Sequence, residues 1–203
     1  MHTPIIIALS GKKGSGKNTI AKYIHSYAMD HLGGGKFMEY SFADLLKEFC
    51  VNVLGLEHHQ CFGSDDEKNT STKYHWGSTP NIHKTGDMTG REVMQVFGTE
   101  CVRAWFGNVW ADATIRRIYQ EYPKIALITD TRFINEVDEI LEQPKGYVIR
   151  LTRSPYDGDG HASETALDSY DWDRERCFIL DNANLSIDEQ NNQASPILKQ
   201  IFS

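Results

Sequence analysis

Apolar residues along this chain fall into two kinds of pattern. Short unbroken runs at Pro4–Leu9, Phe37–Phe42, Ile125–Thr129, Tyr147–Leu151 and Cys177–Leu180 are bounded by turn residues. Runs this short and continuous predict strands buried on both faces rather than surface helices. Between them, Asn18–Leu32, Ala43–Leu54, Arg91–Phe106, Val109–Tyr122 and, more weakly, Asn135–Leu141 carry apolar side chains at three- and four-residue spacing, which predicts helices. Strands alternating with helices imply the α/β fold class, with a parallel five-stranded sheet covered by helices on both faces. The segment Gly55–Gly90 breaks the scheme. It is rich in Asp, Asn, Ser, Thr, Gly and His without sustained periodicity, and reads as an insertion over the substrate side of one domain spanning residues 1–203. The tail Asn184–Ser203 begins polar and ends in Ile197, Leu198, Ile201 and Phe202, which predicts a closing helix.

Composition narrows the class. With 40% hydrophobic and 24% charged residues the chain is an ordinary globular one, which excludes collagen-like, low-complexity and disordered classes. The longest apolar run, Ile5–Leu9, falls far short of the ~20 residues of a membrane span, so no membrane partner is expected. It carries no basic leader or small-residue cleavage site, so a cytoplasmic location is expected. Cys50, Cys61, Cys101 and Cys177 are scattered and form no C-x-x-C pair, which predicts reduced thiols. The net charge of −7, from 28 acidic against 21 basic residues, argues against a nucleic-acid partner. A polyanion would need cations gathered in one place.

Gly11-Lys12-Lys13-Gly14-Ser15-Gly16-Lys17-Asn18-Thr19 provides such a gathering. It follows the first predicted strand and opens the first predicted helix, the context that the phosphate loop G-x-x-x-x-G-K-[ST] requires. Glycines let backbone N–H groups close around phosphate oxygens, and the helix N-terminus adds partial positive charge. Lys17 adds a full charge at the terminal phosphates. Asn18 stands where Ser or Thr usually meets magnesium, and Thr19 comes one place later. Adenylate kinase and its relatives also place Thr second after the lysine, so the departure points to nucleoside monophosphate kinases and away from GTPases.

The ordered set continues with Ser41-Phe42-Ala43-Asp44 and Lys47, Thr89-Gly90-Arg91-Glu92 with Gln95, and Gly98-Thr99-Glu100 with Arg103. Then come Trp110 with Asp112, Asp130-Thr131-Arg132-Phe133 with Asn135-Glu136, and Arg153 followed by His161-Ala162-Ser163-Glu164. Over roughly residues 5 to 185 this set resembles the bacteriophage deoxynucleoside monophosphate kinases. The resemblance implies an adenylate-kinase-like fold of the P-loop NTPase class that moves the terminal phosphoryl group of ATP to a deoxynucleoside monophosphate, with Mg2+. If the chain is phage-encoded, its location is the host cytoplasm.

Candidate roles follow from position. Gly11, Lys13, Gly14, Ser15, Gly16, Lys17, Asn18 and Thr19 would cradle ATP, with Arg150 on the same nucleotide or, equally, in an ordinary salt bridge on its strand. Asn182 and Asn184, after the last strand, sit where this fold often contacts adenine. Asp130, at the carboxyl edge of the sheet, would hold magnesium with Thr19, and Arg132 would turn toward the same phosphates. The alternative is that Asp130 caps the next helix and Arg132 pairs with Glu136. Arg153 opens the Gly- and Asp-rich segment Ser154–Gly160, read as part of a lid over residues 153–164 whose return hinge is His161–Glu164. Arg91 in the first turn of a helix opposes the dipole, so an anionic ligand, the acceptor phosphate, would explain it. Gln95, Glu100 and Arg103 would hold the nucleoside or support Arg91; a solvated helix face is the rival. Asp44 and Lys47 lie on the acceptor side by analogy, or form a surface ion pair. Trp76 would stack on a base or anchor its loop. His58, His59 and Cys61 lack a second pair at zinc-finger spacing, which argues against structural zinc.

Phosphoryl transfer between two nucleotides needs charge stabilisation and exclusion of water more than a general base, so small-molecule nucleotides are the expected partners. A homodimer is compatible with the sequence. Rival readings are another small-molecule kinase, of the dephospho-coenzyme A or phosphomevalonate type, and a nucleotide-binding sensor without transfer activity.

Overall fold

The computed structural model describes residues 2–31, 35–80, 83–156 and 165–203. The chain divides into two compact units, residues 1–42 with 114–203, and residues 43–113.

The first unit is built on a five-stranded sheet of β1 (Ile5–Ser10), β2 (Phe37–Tyr40), β5 (Ile125–Thr131), β6 (Gly146–Leu151) and β7 (Cys177–Leu180), in the order β2-β5-β1-β6-β7. Every pairing is parallel. The apolar runs are continuous because each central strand is covered on both sides. Ile7 and Leu9 of β1, with Leu127, Ile149 and Leu151, pack under Ile20 and Ile24 of α1 (Lys17–His31) and Leu198 and Ile201 of α8 (Ile187–Phe202). The alternate residues Ile6, Ala8 and Val148 are fully buried as well, and α7 (Ile134–Glu142), with buried Val137 and Ile140, packs along β1 and β6. Successive strands run from β1 to one side and then to the other, which makes the carboxyl end of β1 the switch point at which α/β sheets bind ligands.

The second unit contains α2 (Asp44–Asn52), α3 (His58–Phe62), α4 (Asp65–Lys68), β3 (Ser71–His75), β4 (Asp87–Thr89), α5 (Gly90–Gln95) and a π-helical stretch, Val96–Arg103. α6 (Val109–Glu121) begins in this unit and ends in the first. Two results differ from the expectation. Residues 55–90 are not an irregular excursion: β3 and β4 pair antiparallel, and Leu56, Cys61, Trp76 and Met88 form a core with Cys50 and Val93. No element of this unit gives more than one buried residue to that core, and α4 gives none, so no period emerges. The signals that were present are capping boxes, Ser64-x-x-Glu67 opening α4 and Thr89-x-x-Glu92 opening α5, both closed in the structure. The helix expected over Arg91–Phe106 widens into π geometry at Val96. There Gly98 lets Leu46 of α2 pack so close that a Cβ would lie 2.4 Å from its Cδ2, and the Trp110 indole donates to the Gly98 carbonyl at 3.1 Å.

Candidate functional site

The loop at the end of β1 is shaped by its glycines. Gly14 and Gly16 adopt φ of 74° and 95°, the left-handed region that a side chain resists. At Gly14 a Cβ would also stand 2.7 Å from both Pro155 and Tyr156. Lys17 begins α1, and its ammonium donates back to the carbonyls of Gly11 at 2.6 Å and Lys12 at 3.0 Å, closing the loop around its own rim. Thr19 lies half-buried in the first turn of α1, while Lys13 and Asn18 are exposed. Ser15 is fully buried and its hydroxyl has no hydrogen-bond partner, an orphaned polar atom at the base of the loop.

Asn182 does not fit the role of an adenine contact. It is fully buried, its amide donates to the Ser15 carbonyl at 2.8 Å and to Gln190 Oε1 at 2.7 Å, and its oxygen accepts from the Arg153 backbone at 3.0 Å. Every polar group of the side chain is committed to the protein, so Asn182 is the floor under the loop. Asn184 is exposed in the following turn. Arg153 is held beside Asn182. Its guanidinium donates to the carbonyls of Asn182 at 3.1 Å and Leu185 at 2.5 Å, which fixes it to the loop after β7. The rest of the segment read as a lid, residues 157–164 with His161, Ser163 and Glu164, lies outside the described residues.

Asp130 is half-buried at the carboxyl end of β5, where it accepts from the Ser41 hydroxyl at 2.5 Å and the Phe42 backbone N–H at 2.7 Å. It thus braces the turn after β2 instead of capping α7. The capping is done by buried Glu136, whose carboxylate accepts from the backbone N–H groups of Arg132 at 2.8 Å and Phe133 at 3.1 Å. Arg132 itself is half-buried beside them. Arg150, half-buried near the end of β6, donates to the Ser10 hydroxyl at 2.9 Å, immediately before the glycine loop. Its guanidinium lies over Trp172, 5.3 Å from the ring centre.

The second unit gathers its own cations. Lys47 pairs with Asp44 at 3.3 Å, so the ion-pair alternative is realised, and its ammonium stands 5.3 Å from the Phe62 ring centre. Arg91, capped by Thr89 at the start of α5, pairs with Asp65 at 2.6 Å and donates to Asn69 at 3.0 Å. A protein carboxylate therefore already answers the charge that had called for a ligand. Lys68, which sequence reading missed, completes the group. Burial, and then the charges of Lys47 and Arg91, hold its ammonium below the usual lysine range against the pull of Asp65. Of the two readings of Trp76 the structure shows the anchor: at 4% exposure it is core, and the Lys84 ammonium stands 4.3 Å from its ring centre. Burial pushes the Glu92 carboxyl up, but hydrogen bonds from Thr89, Lys84 and Trp76 outweigh it and hold the group below its ordinary value. Gln95 is half-buried at the end of α5, and the π-helical stretch carries exposed Glu100 and half-buried Arg103. Stretches of π-helix are frequent at functional sites, and nothing in a 3.6-residue period announces one.

A bound magnesium fits the donor set. The Asp130 carboxylate, which accepts from Ser41 and Phe42, and the Thr19 hydroxyl are both hard oxygen donors of the kind magnesium takes.

No helix among the described residues is long and apolar enough to cross a membrane. No family model matches the chain. In fold it is similar to TT1252 from Thermus thermophilus, a crystal structure with TM-score 0.50 and 14% identity, matched over 100% of both chains. In sequence it is 32% identical over 179 residues to a protein of Acanthamoeba polyphaga mimivirus provisionally named deoxynucleotide monophosphate kinase, a match covering 81% of this chain and 83% of the relative. With likeness of that extent, the chain belongs to the deoxynucleotide monophosphate kinase family.

Proposed function

We propose that the chain transfers the terminal phosphoryl group of ATP to a deoxynucleoside monophosphate, giving ADP and the deoxynucleoside diphosphate. The observation that carries this reading is the loop after β1 in a chain of this family: two left-handed glycines, and a lysine whose ammonium closes on the loop's own carbonyls. In the reaction an oxygen of the acceptor phosphate forms a bond to the γ-phosphorus, and the bond from that phosphorus to the β–γ bridging oxygen breaks. Negative charge grows on the bridging oxygen and shifts across the moving group. Lys17 exchanges its two carbonyls for the β- and γ-phosphate oxygens and follows that charge. The backbone N–H groups of residues 14–17 and the N-terminus of α1 hold the remaining oxygens. Arg132 and Arg150 add charge from the ends of β5 and β6. Thr19 and Asp130 would hold a magnesium ion, which would supply neutralisation of the phosphate oxygens. On the second unit Lys47, Lys68 and Arg91 form the acceptor-phosphate seat, because a dianion there would offset the burial, and after it the repulsion from Lys47 and Arg91, that depress Lys68. Gln95, Glu100 and Arg103 belong to the nucleoside.

ADP release in a coupled assay, over a panel of deoxy and ribo monophosphates, tests the reading. At least one deoxynucleoside monophosphate should support turnover, and Lys17→Ala should lower it by more than a hundredfold, since losing one electrostatic stabiliser costs about 3 kcal/mol or more. Absence of ADP release with every monophosphate, or a Lys17→Ala variant retaining a tenth of the activity, rejects it.

A further inference from the structure

We propose that Asp168 sets how tightly the glycine loop takes a nucleotide's phosphates, by occupying their place between two cations as an internal carboxylate. One Asp168 oxygen lies 3.0 Å from the Lys12 ammonium, and the other 3.8 Å from the Arg150 guanidinium. Lys12 belongs to the loop itself. Arg150 is joined to Ser10 at the loop's start and backed by the Trp172 ring. A single carboxylate thus bridges a cation of the loop and a cation of the neighbouring strand, as a phosphate oxygen would.

The turn that presents Asp168 is anchored on both sides. Leu167 is buried, the Asp168 N–H donates to the Thr165 carbonyl at 3.0 Å, and the Tyr170 hydroxyl donates to Asp138 at 2.9 Å. The carboxylate remains 44% exposed. A side chain in that setting can give up its partners without unfolding the turn. Polyphosphate arriving at the loop meets a like charge, and binds either by displacing the carboxylate or against its repulsion. Both routes make the bare loop weaker than its own cations alone would be, because the apparent affinity is reduced by the fraction of molecules whose seat is open. Displacement then hands Lys12 and Arg150 to the phosphates together, so Asp168 is a specificity-determining residue that favours ligands charged enough to replace it.

The inference rests on the loop being the nucleotide site, and the test separates the two. Calorimetric titration of β,γ-imido-ATP into the wild-type chain, Asp168→Asn, Asp168→Ala and the Lys12→Ala/Asp168→Asn pair is decisive. Both single variants should bind the analogue about threefold to tenfold more tightly, and the gain should vanish in the double variant. Thermal melts should stay close to wild type, since an exposed ion pair adds little stability. Unchanged or weaker binding by Asp168→Asn overturns the inference and leaves the loop assignment standing. A wild-type chain that binds no analogue overturns the loop assignment itself.

Discussion

At the scale of single residues, the difference between a group that touches ligand and one that holds such a group in place decides what a substitution does. Asn182 is the clearest case. Truncation to alanine leaves the Ser15 carbonyl, Gln190 Oε1 and the Arg153 N–H without their partner in a fully buried place. Each such orphan costs roughly 1 to 3 kcal/mol, so Asn182→Ala should lower stability by about 2 to 4 kcal/mol, allowing for relaxation. Urea unfolding reads the loss directly, and the affinity for an ATP analogue falls with it because the floor of the loop moves. A variant that lost affinity at unchanged stability would return Asn182 to the role of a base contact. Position along the sequence made the glycine loop legible, since a strand, a glycine run and a helix in that order have few uses. It misplaced Asn182, and could not choose between the readings of Trp76 or foresee the contacts of Arg153, for one shared reason. A polar or aromatic side chain near a ligand-binding edge looks the same in sequence whether it turns outward or inward, and the groups that turn it, such as Gln190, Leu185 and Lys84, are brought together only by the fold.

Among elements, what was legible follows from how each is buried. The strands of the parallel sheet were readable to within two residues at their ends, most plainly the central ones, whose two covered faces force an unbroken apolar run. β3 and the helices α3 and α4 were not, because among their residues only Gln60 and Cys61 of α3 are buried, which leaves no apolar period to read. Gly90 shows how closely those pieces meet. A Cβ at Gly90 would stand 2.6 Å from the Gln60 carbonyl oxygen and 2.9 Å from the Gln60 Cβ, so the start of α5 lies against the backbone of α3. Gln60 cannot retreat cheaply: it is buried, its amide donates to the Ser71 carbonyl at 2.9 Å, and its oxygen accepts from Glu57 N–H at 3.0 Å. Gly90→Ala should therefore destabilise the protein by about 1 to 3 kcal/mol, the range of overpacking, despite alanine's better helix propensity. Gly77, where an added Cβ would meet nothing within 4 Å, is the matched control and should change stability by less than about 0.5 kcal/mol. Paired thermal unfolding curves give both values, and equal midpoints would mean that α3 and α5 are not locked through this contact.

For the whole molecule, the candidate groups sort by unit. Lys17, Thr19, Asp130, Arg132 and Arg150 lie in the unit formed by residues 1–42 and 114–203, whereas Lys47, Lys68, Arg91, Gln95 and Arg103 lie in residues 43–113. The chain carries a net charge of −7, yet each unit collects cations at one place, which is how an acidic protein binds anions without becoming basic overall. If the first set takes the donor and the second the acceptor, substitutions should separate the two ligands. Arg91→Ala removes a cation paired with Asp65 at 2.6 Å in a half-exposed place, so its cost in stability is small, up to about 1 kcal/mol. Its effect on ligands should be selective: the affinity for the deoxynucleoside monophosphate falls roughly tenfold or more, the 1.5 to 3 kcal/mol of a charge-assisted hydrogen bond, while that for β,γ-imido-ATP changes less than twofold. Lys17→Ala should give the converse. Calorimetry with each ligand on each variant yields a two-by-two comparison, and the division of labour requires losses on one diagonal only. Equal loss of both affinities in Arg91→Ala would make the Arg91–Asp65 pair a support of the second unit's fold, and the acceptor seat would then have to be sought at Lys47 and Lys68 without it.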